Sequence, residues 1–342
     1  MRPLAGIRII EIYDPDGPLA LCLAGAFAGR LLADLGADVL YDDRNSGRLK
    51  QIPPIVGGTG AVFSFLHAGK TQVPSDRLAA TADAAILDVG TRHRLRDARF
   101  PRAVVTLSLY GEEAPSAPGS EFTVMALSGI LDIVGDPERP PLKLGGHQAA
   151  YSAGLAAFTG LLSALCITRN DEAAREAVHV SMLETLLWIN WKSAVAADAT
   201  GEAPSRRGSA AEWQVLRCAD GFVAVVYQPD DWPALQNFVG DPRLNDGRFA
   251  TAALRLANGK ALATVLEAGL SRYTRNEIRA RALAARLPLG PVWTLAELLD
   301  DRHYTARDVF SPATMPDGTT APLHTLPLTW NGTRFAPGSV PA

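Results

Sequence analysis

The chain has 342 residues, with 33 Lys+Arg against 36 Asp+Glu and a net charge of −3. Hydrophobic residues make up 47% and charged residues 20%, which excludes whole-chain disorder and, at roughly 100–200 residues per domain, predicts about two domains. No basic excess is available to neutralise a nucleic-acid backbone, and three scattered cysteines (Cys22, Cys166, Cys218) exclude a disulfide framework and fit a reducing cytoplasm.

The opening Met1-Arg2-Pro3-Leu4 carries no apolar segment behind its arginine, so no secretory leader is expected. The β-branched run Gly6–Ile12 predicts a buried strand, the Ala/Leu-rich stretch Leu19–Leu35 a helix, and Gly36–Leu40 a helix stop with a second strand. That is the first βαβ unit of a parallel sheet. Strands at Ala84–Val89 and Ala103–Leu109 extend the α/β reading. Helices are predicted over Gln148–Arg169 and Ser181–Ala197. The first contains a weakly polar run, Ala149–Ile167, about long enough to cross a bilayer but diluted by Tyr151, Ser152, Thr159 and Ser163. It is read as a core helix, with no membrane role. Gly, Pro, Ser and Arg residues at 200–211 predict a linker. A β-hairpin (Trp213–Cys218 and Phe222–Tyr227) follows, then helices over Trp232–Val239, Thr251–Leu270 and Thr274–Ala285. A second crossing is expected at Leu287–Pro291, and the tail from Ser311 is rich in Pro and Gly with no helical pattern.

The six histidines are dispersed, with none paired at helical spacing, so no metal site is predicted. There is no G-x-x-x-x-G-K-[ST] loop and no G-x-S-x-G elbow. His147 follows Gly145-Gly146 at a helix start, where the dipole favours a neutral imidazole that could serve as a base; a buried structural histidine is the competing reading. Glu121 stands at another apolar helix start, which the dipole alone also explains. Arg44 and Lys70 are isolated cations in loops after strand-like segments, either anion ligands or plain surface charges. Phe27, Tyr151, Trp188 and Trp191 would make an apolar pocket wall or core.

Several segments together resemble the family III CoA-transferases, the CaiB/BaiF group that also contains the α-methylacyl-CoA racemases. They are Pro3-Leu4-Ala5-Gly6-Ile7-Arg8-Ile9-Ile10-Glu11, Arg30 through Val39, His67-Ala68-Gly69-Lys70, Glu121 through Gly129, and Val178-His179-Val180-Ser181-Met182-Leu183-Glu184. Cys218-Ala219-Asp220-Gly221 and Pro291-Val292-Trp293-Thr294 continue the match in order. The resemblance implies a large Rossmann-like domain built from both chain ends (1–199 and 305–342), a small inserted α+β domain (212–290), and linkers at 200–211 and 291–304. It also implies that two chains interlock like closed rings.

In such transferases an aspartate attacks the acyl-CoA thioester to give a mixed anhydride. The resemblance puts that aspartate at Ala149 or Ala150, and no Asp or Glu occurs from Lys143 through Asn170. The racemase histidine position reads Ser120, while Glu121 matches an acidic active-site position. Arg44 and Lys70 match positions expected to hold coenzyme A. The family's CoA-contacting arginine turn is missing, with Arg92 or Arg94 as candidate substitutes. Three readings follow. The chain acts on an acyl-CoA and a carboxylic acid with a carboxylate from elsewhere, Glu121 or a residue of the partner chain; it is a non-catalytic subunit beside an aspartate-bearing paralogue; or it is a redirected enzyme using Glu121 or His147 as general base. A homodimer or such a heterodimer is expected, with a small-molecule acyl substrate.

Overall fold

The computed structural model describes residues 2–74, 82–113, 117–136, 138–201, 206 and 213–341. The linker expected at 200–211 lies largely outside them. β1 (Arg8–Ile12), α1 (Leu19–Asp34) and β2 (Asp38–Asp42) form the opening βαβ unit. The chain continues through α2 (Asp43–Lys50), the two-residue strands β3 (Ile55–Val56) and β4 (Thr59–Gly60), α3 (Ala61–His67) and β5 (Thr71–Val73). Next come β6 (Ala84–Asp88), α4 (Val89–Arg94), β7 (Ala103–Ser108), α5 (Glu121–Leu127) and α6 (Gln148–Asn170). β8 (Glu176–Ser181), α7 (Met182–Ile189) and α8 (Trp191–Thr200) complete this stretch.

Six strands make one parallel sheet in the order β5-β2-β1-β6-β7-β8. Every residue of β6 and β7 is buried, as strands covered on both faces must be. α6 packs along α1 through small residues. A Cβ on Gly154 would lie 2.4 Å from the Ala24 carbonyl oxygen, so only glycine allows the two backbones to approach this closely. α6 is long and apolar enough to cross a membrane by length and composition, but Ala149, Ala150, Ala153, Ala157 and Leu161 bury one face of it in the main core.

The chain divides into two compact units, 1–204 with 302–342 and 205–301. In the second, β9 (Trp213–Cys218), β10 (Gly221–Val226) and β11 (Leu289–Pro291) form an antiparallel sheet in the order β11-β10-β9. Around it lie α9 (Trp232–Val239), α10 (Ala252–Ala257), α11 (Gly259–Leu270), α12 (Arg275–Ala285) and α13 (Leu295–Leu299). Val223, Val225, Leu235, Phe249, Leu266 and Ile278 fill its core. The first unit resumes with α14 (Arg302–Ala306) and an antiparallel ribbon of β12 (Phe310–Thr314) and β13 (Thr320–His324).

Four expectations change. The helix read over Ser181–Ala197 is strand-ended and broken: Ser181 closes β8 and caps α7, and Asn190 separates α7 from α8. The Thr251–Leu270 helix is interrupted at Asn258. Leu289–Pro291, read as a crossing, pairs with β10. Arg44 sits in α2, started by the Asp42 side chain accepting from the Arg44 backbone N–H, and not in a loop.

Candidate active site

α6 opens without a cap of its own, since His147 at its N-cap position makes no side-chain capping bond. Its free first-turn N–H groups need an acceptor, and Glu121 supplies it from α5. Ala149 and Ala150 donate to Glu121 Oε1 at 3.0 and 3.2 Å. Glu121 is held there because Ser120 and Thr123 cap the start of α5 reciprocally. The other oxygen, Oε2, accepts from His147 Nδ1 at 3.0 Å, with Lys143 Nζ at 3.9 Å. Burial raises the Glu121 pKa, but the hydrogen bonds from His147 and Ala150 and the charges of His147 and Lys143 together hold it below its usual value. It is a committed carboxylate.

An ionised carboxylate only accepts, so His147 donates from Nδ1, and in the neutral ring that tautomer places the lone pair on Nε2. The His147 side chain is 26% exposed against 10% for Glu121. Its ring stands edge-on to Tyr151, centroids 6.1 Å apart. Tyr151 in turn contacts Phe27 at 4.7 Å and, with Phe27 and Phe65, walls a cavity of about 740 Å³. Arg30, Arg307 and Arg334 also line it. Arg30 offers no charge to a ligand: its guanidinium is consumed by Asp34 and by the carbonyls of Phe65 and His324.

The structure thus brings Glu121 and His147 together at the α6 N-terminus, where the side chains of Ala149 and Ala150 are buried. It does not bring the two expected coenzyme-A ligands together as open cations. Arg44 is half exposed and bonded to Asp42, at the end of β2. Lys70, expected to be open to an anion, is instead fully enclosed, donating to Glu11 Oε1 at 2.6 Å and to the Ala26 carbonyl at 2.7 Å. Arg94 pairs with Asp14 at 2.8 Å, and Arg92 lies over Phe100. Phe27 and Tyr151 do line the cavity; Trp188 and Trp191 do not, being 80% and 61% exposed on α7 and α8. Phe65 and His324 escaped the sequence reading because they reach the cavity from distant parts of the chain. Glu11 left a signal, a lone carboxylate inside the run Ile9, Ile10, Ile12, which burial permits only with a partner.

Residues 77–341 match the sequence profile of CoA-transferase family III. The chain belongs to this family. It is similar to a succinate–glutarate CoA-transferase of Agrobacterium fabrum, 26% identical over 95% of this chain and 89% of that one. An acetyl-CoA:oxalate CoA-transferase of Acetobacter aceti is 27% identical over 90% and 85%. A CaiB/BaiF family protein from Brucella suis has the same fold, with a TM-score of 0.82 at 24% identity over 99% of this chain and 95% of that one. The mixed α/β architecture with its parallel sheet is therefore the CaiB/BaiF fold. Among the described residues no His/Cys/Asp/Glu group could hold a metal ion.

Proposed function

We propose that this family III protein acts on an acyl-CoA and a carboxylic acid, and that it does so without an acyl-aspartyl enzyme. The observation that carries the reading is the state of Glu121, whose oxygens are taken by Ala149, Ala150 and His147. A carboxylate with these bonds and a lowered pKa is a poor nucleophile, and it is well placed to orient an imidazole. His147 is then the working base. Its Nε2 takes a proton from a water attacking the acyl-CoA carbonyl; the C–S bond breaks as the tetrahedral intermediate collapses, the imidazolium passes that proton to the departing coenzyme-A thiolate, and the carboxylic acid is released, while Glu121 fixes the ring and stabilises the imidazolium. Arg44, exposed beyond the carboxyl end of β2 where parallel sheets present ligands, is the coenzyme-A contact, and Lys70 supports the fold from within. The aromatic cavity beside Tyr151 accepts the acyl portion.

The family's habit of pairing chains gives the exposed α7–α8 face a role. Leu187, Trp188, Ile189, Trp191 and Val195 form an apolar patch of the kind monomers rarely leave open, and a second copy or an aspartate-bearing paralogue would cover it. The test is intact-mass analysis of the protein incubated with succinyl-CoA, followed by hydroxylamine. Release of free coenzyme A with no covalent acyl or CoA adduct on this chain is the expected result. A hydroxylamine-sensitive adduct on one of its carboxylates would overturn the reading.

A further inference from the structure

At the end of the sheet where its strands begin, two adjoining concavities of about 430 and 390 Å³ share Arg99, Phe100, Pro101, Arg102 and Arg175. They lie where β6, β7 and β8 begin, whereas the Glu121–His147 pair stands at the start of α6 and Arg44 follows the end of β2. Arg169 adds to the first concavity, and Arg92 and Arg96 to the second. Six arginines thus face two lining carboxylates, Asp83 and Glu176, in a chain whose net charge is −3. Part of this set has structural work. Arg102 donates to the Asp171 carbonyl at 2.9 Å, Arg92 covers the Phe100 ring, and Arg169 stands in the last turn of α6, where a cation complements the dipole. Asp83 is engaged by the Arg8 backbone N–H at 2.8 Å. The side chains of Arg99, Arg169 and Arg175 make no hydrogen bond or ion pair with any described residue.

Like charges gathered in a concavity repel one another and persist at a cost unless an anion joins them. Guanidinium forks match phosphate oxygens in pairs, and a pocket of this size holds a diphosphate or nucleotide. We propose that this arginine-lined concavity binds a small phosphate-bearing molecule, at a site separate from the acyl-transfer centre.

Calorimetry of the full chain with pyrophosphate and with ATP tests it, alongside Arg99→Ala/Arg175→Ala and, as a control at the other end of the strands, Arg44→Ala. The expected result is saturable binding of one or both ligands, weakened about tenfold or more in the double variant and unchanged in Arg44→Ala. Both substituted arginines are exposed, and an unchanged thermal midpoint without ligand verifies that the double variant folds. Binding of pyrophosphate and ATP alike assigns a phosphate site, and binding of ATP alone assigns a nucleotide site. No binding at millimolar ligand, affinity unaltered in the double variant, or binding confined to long oligonucleotides would each overturn the proposal.

Discussion

Two carboxylates in the first unit, Glu11 and Glu121, each meet a basic side chain at hydrogen-bond distance, and the pairs differ in their access to solvent. Glu11 and Lys70 are 2.6 Å apart, and both side chains are entirely buried beneath α1. Gly29 makes the room, since a Cβ there would overlap Glu11 Oε1 at 1.5 Å. Burial raises the Glu11 pKa and lowers that of Lys70, and their mutual attraction opposes both shifts. The same enclosure pushes the neighbouring Cys22 thiol up to about 12, with the Glu11 charge adding to it. Glu121 and His147 make a pair of similar length, 3.0 Å, with the histidine partly open and its ring edge-on to Tyr151, which lines the cavity. A closed pair can only hold the fold together. An open one with a free lone pair can handle protons.

Breaking the closed pair has the largest expected effect. Lys70→Met leaves Glu11 as an uncompensated buried charge and is expected to cost about 3–5 kcal/mol, read as a lowered midpoint in urea unfolding. The joint replacement Glu11→Leu/Lys70→Met should recover most of that loss, because it removes both charges together. Recovery of none of it would mean that the pair is not a unit.

The open pair is expected to matter less for stability and to leave a pH signature. Glu121→Gln removes the charged acceptor at the start of α6 and is expected to cost about 1–3 kcal/mol at pH 7. The Glu121 pKa is lower folded than its usual 4.5, so its contribution is complete above that pH and is lost as pH falls through the depressed folded value. Urea midpoints of the wild type and Glu121→Gln should therefore converge on acidification below about pH 4.5 and stay apart above it. A constant gap across that window would place the effect in packing.

The sequence displayed the local parts of this architecture and hid the distant ones. β1, α1 and β2 were legible because their apolar runs are continuous and the Gly36 turn divides them. β8 was not, because it is an edge strand with a half-exposed pattern in which Glu176 and His179 interrupt the apolar residues. The β12–β13 ribbon was masked by Pro312 and Pro322, which normally argue against a strand and are tolerated here in a two-stranded ribbon. Glu121 and His147 were each visible from their helix starts and from the family resemblance, but their pairing spans 26 positions and no spacing rule predicts it. Lys70 was read as an open cation for the same reason, since its partner lies 59 positions earlier.

The ring tautomer of His147 reports the role of Glu121 most directly, read from long-range ¹⁵N–¹H correlations of the imidazole in the wild type and in Glu121→Gln. A Glu121 that orients a base instead of acting as a nucleophile requires a neutral ring with its proton on Nδ1 in the wild type. That preference should weaken in the variant. A ring carrying its proton on Nε2, or a tautomer unaffected by Glu121→Gln, would contradict that role.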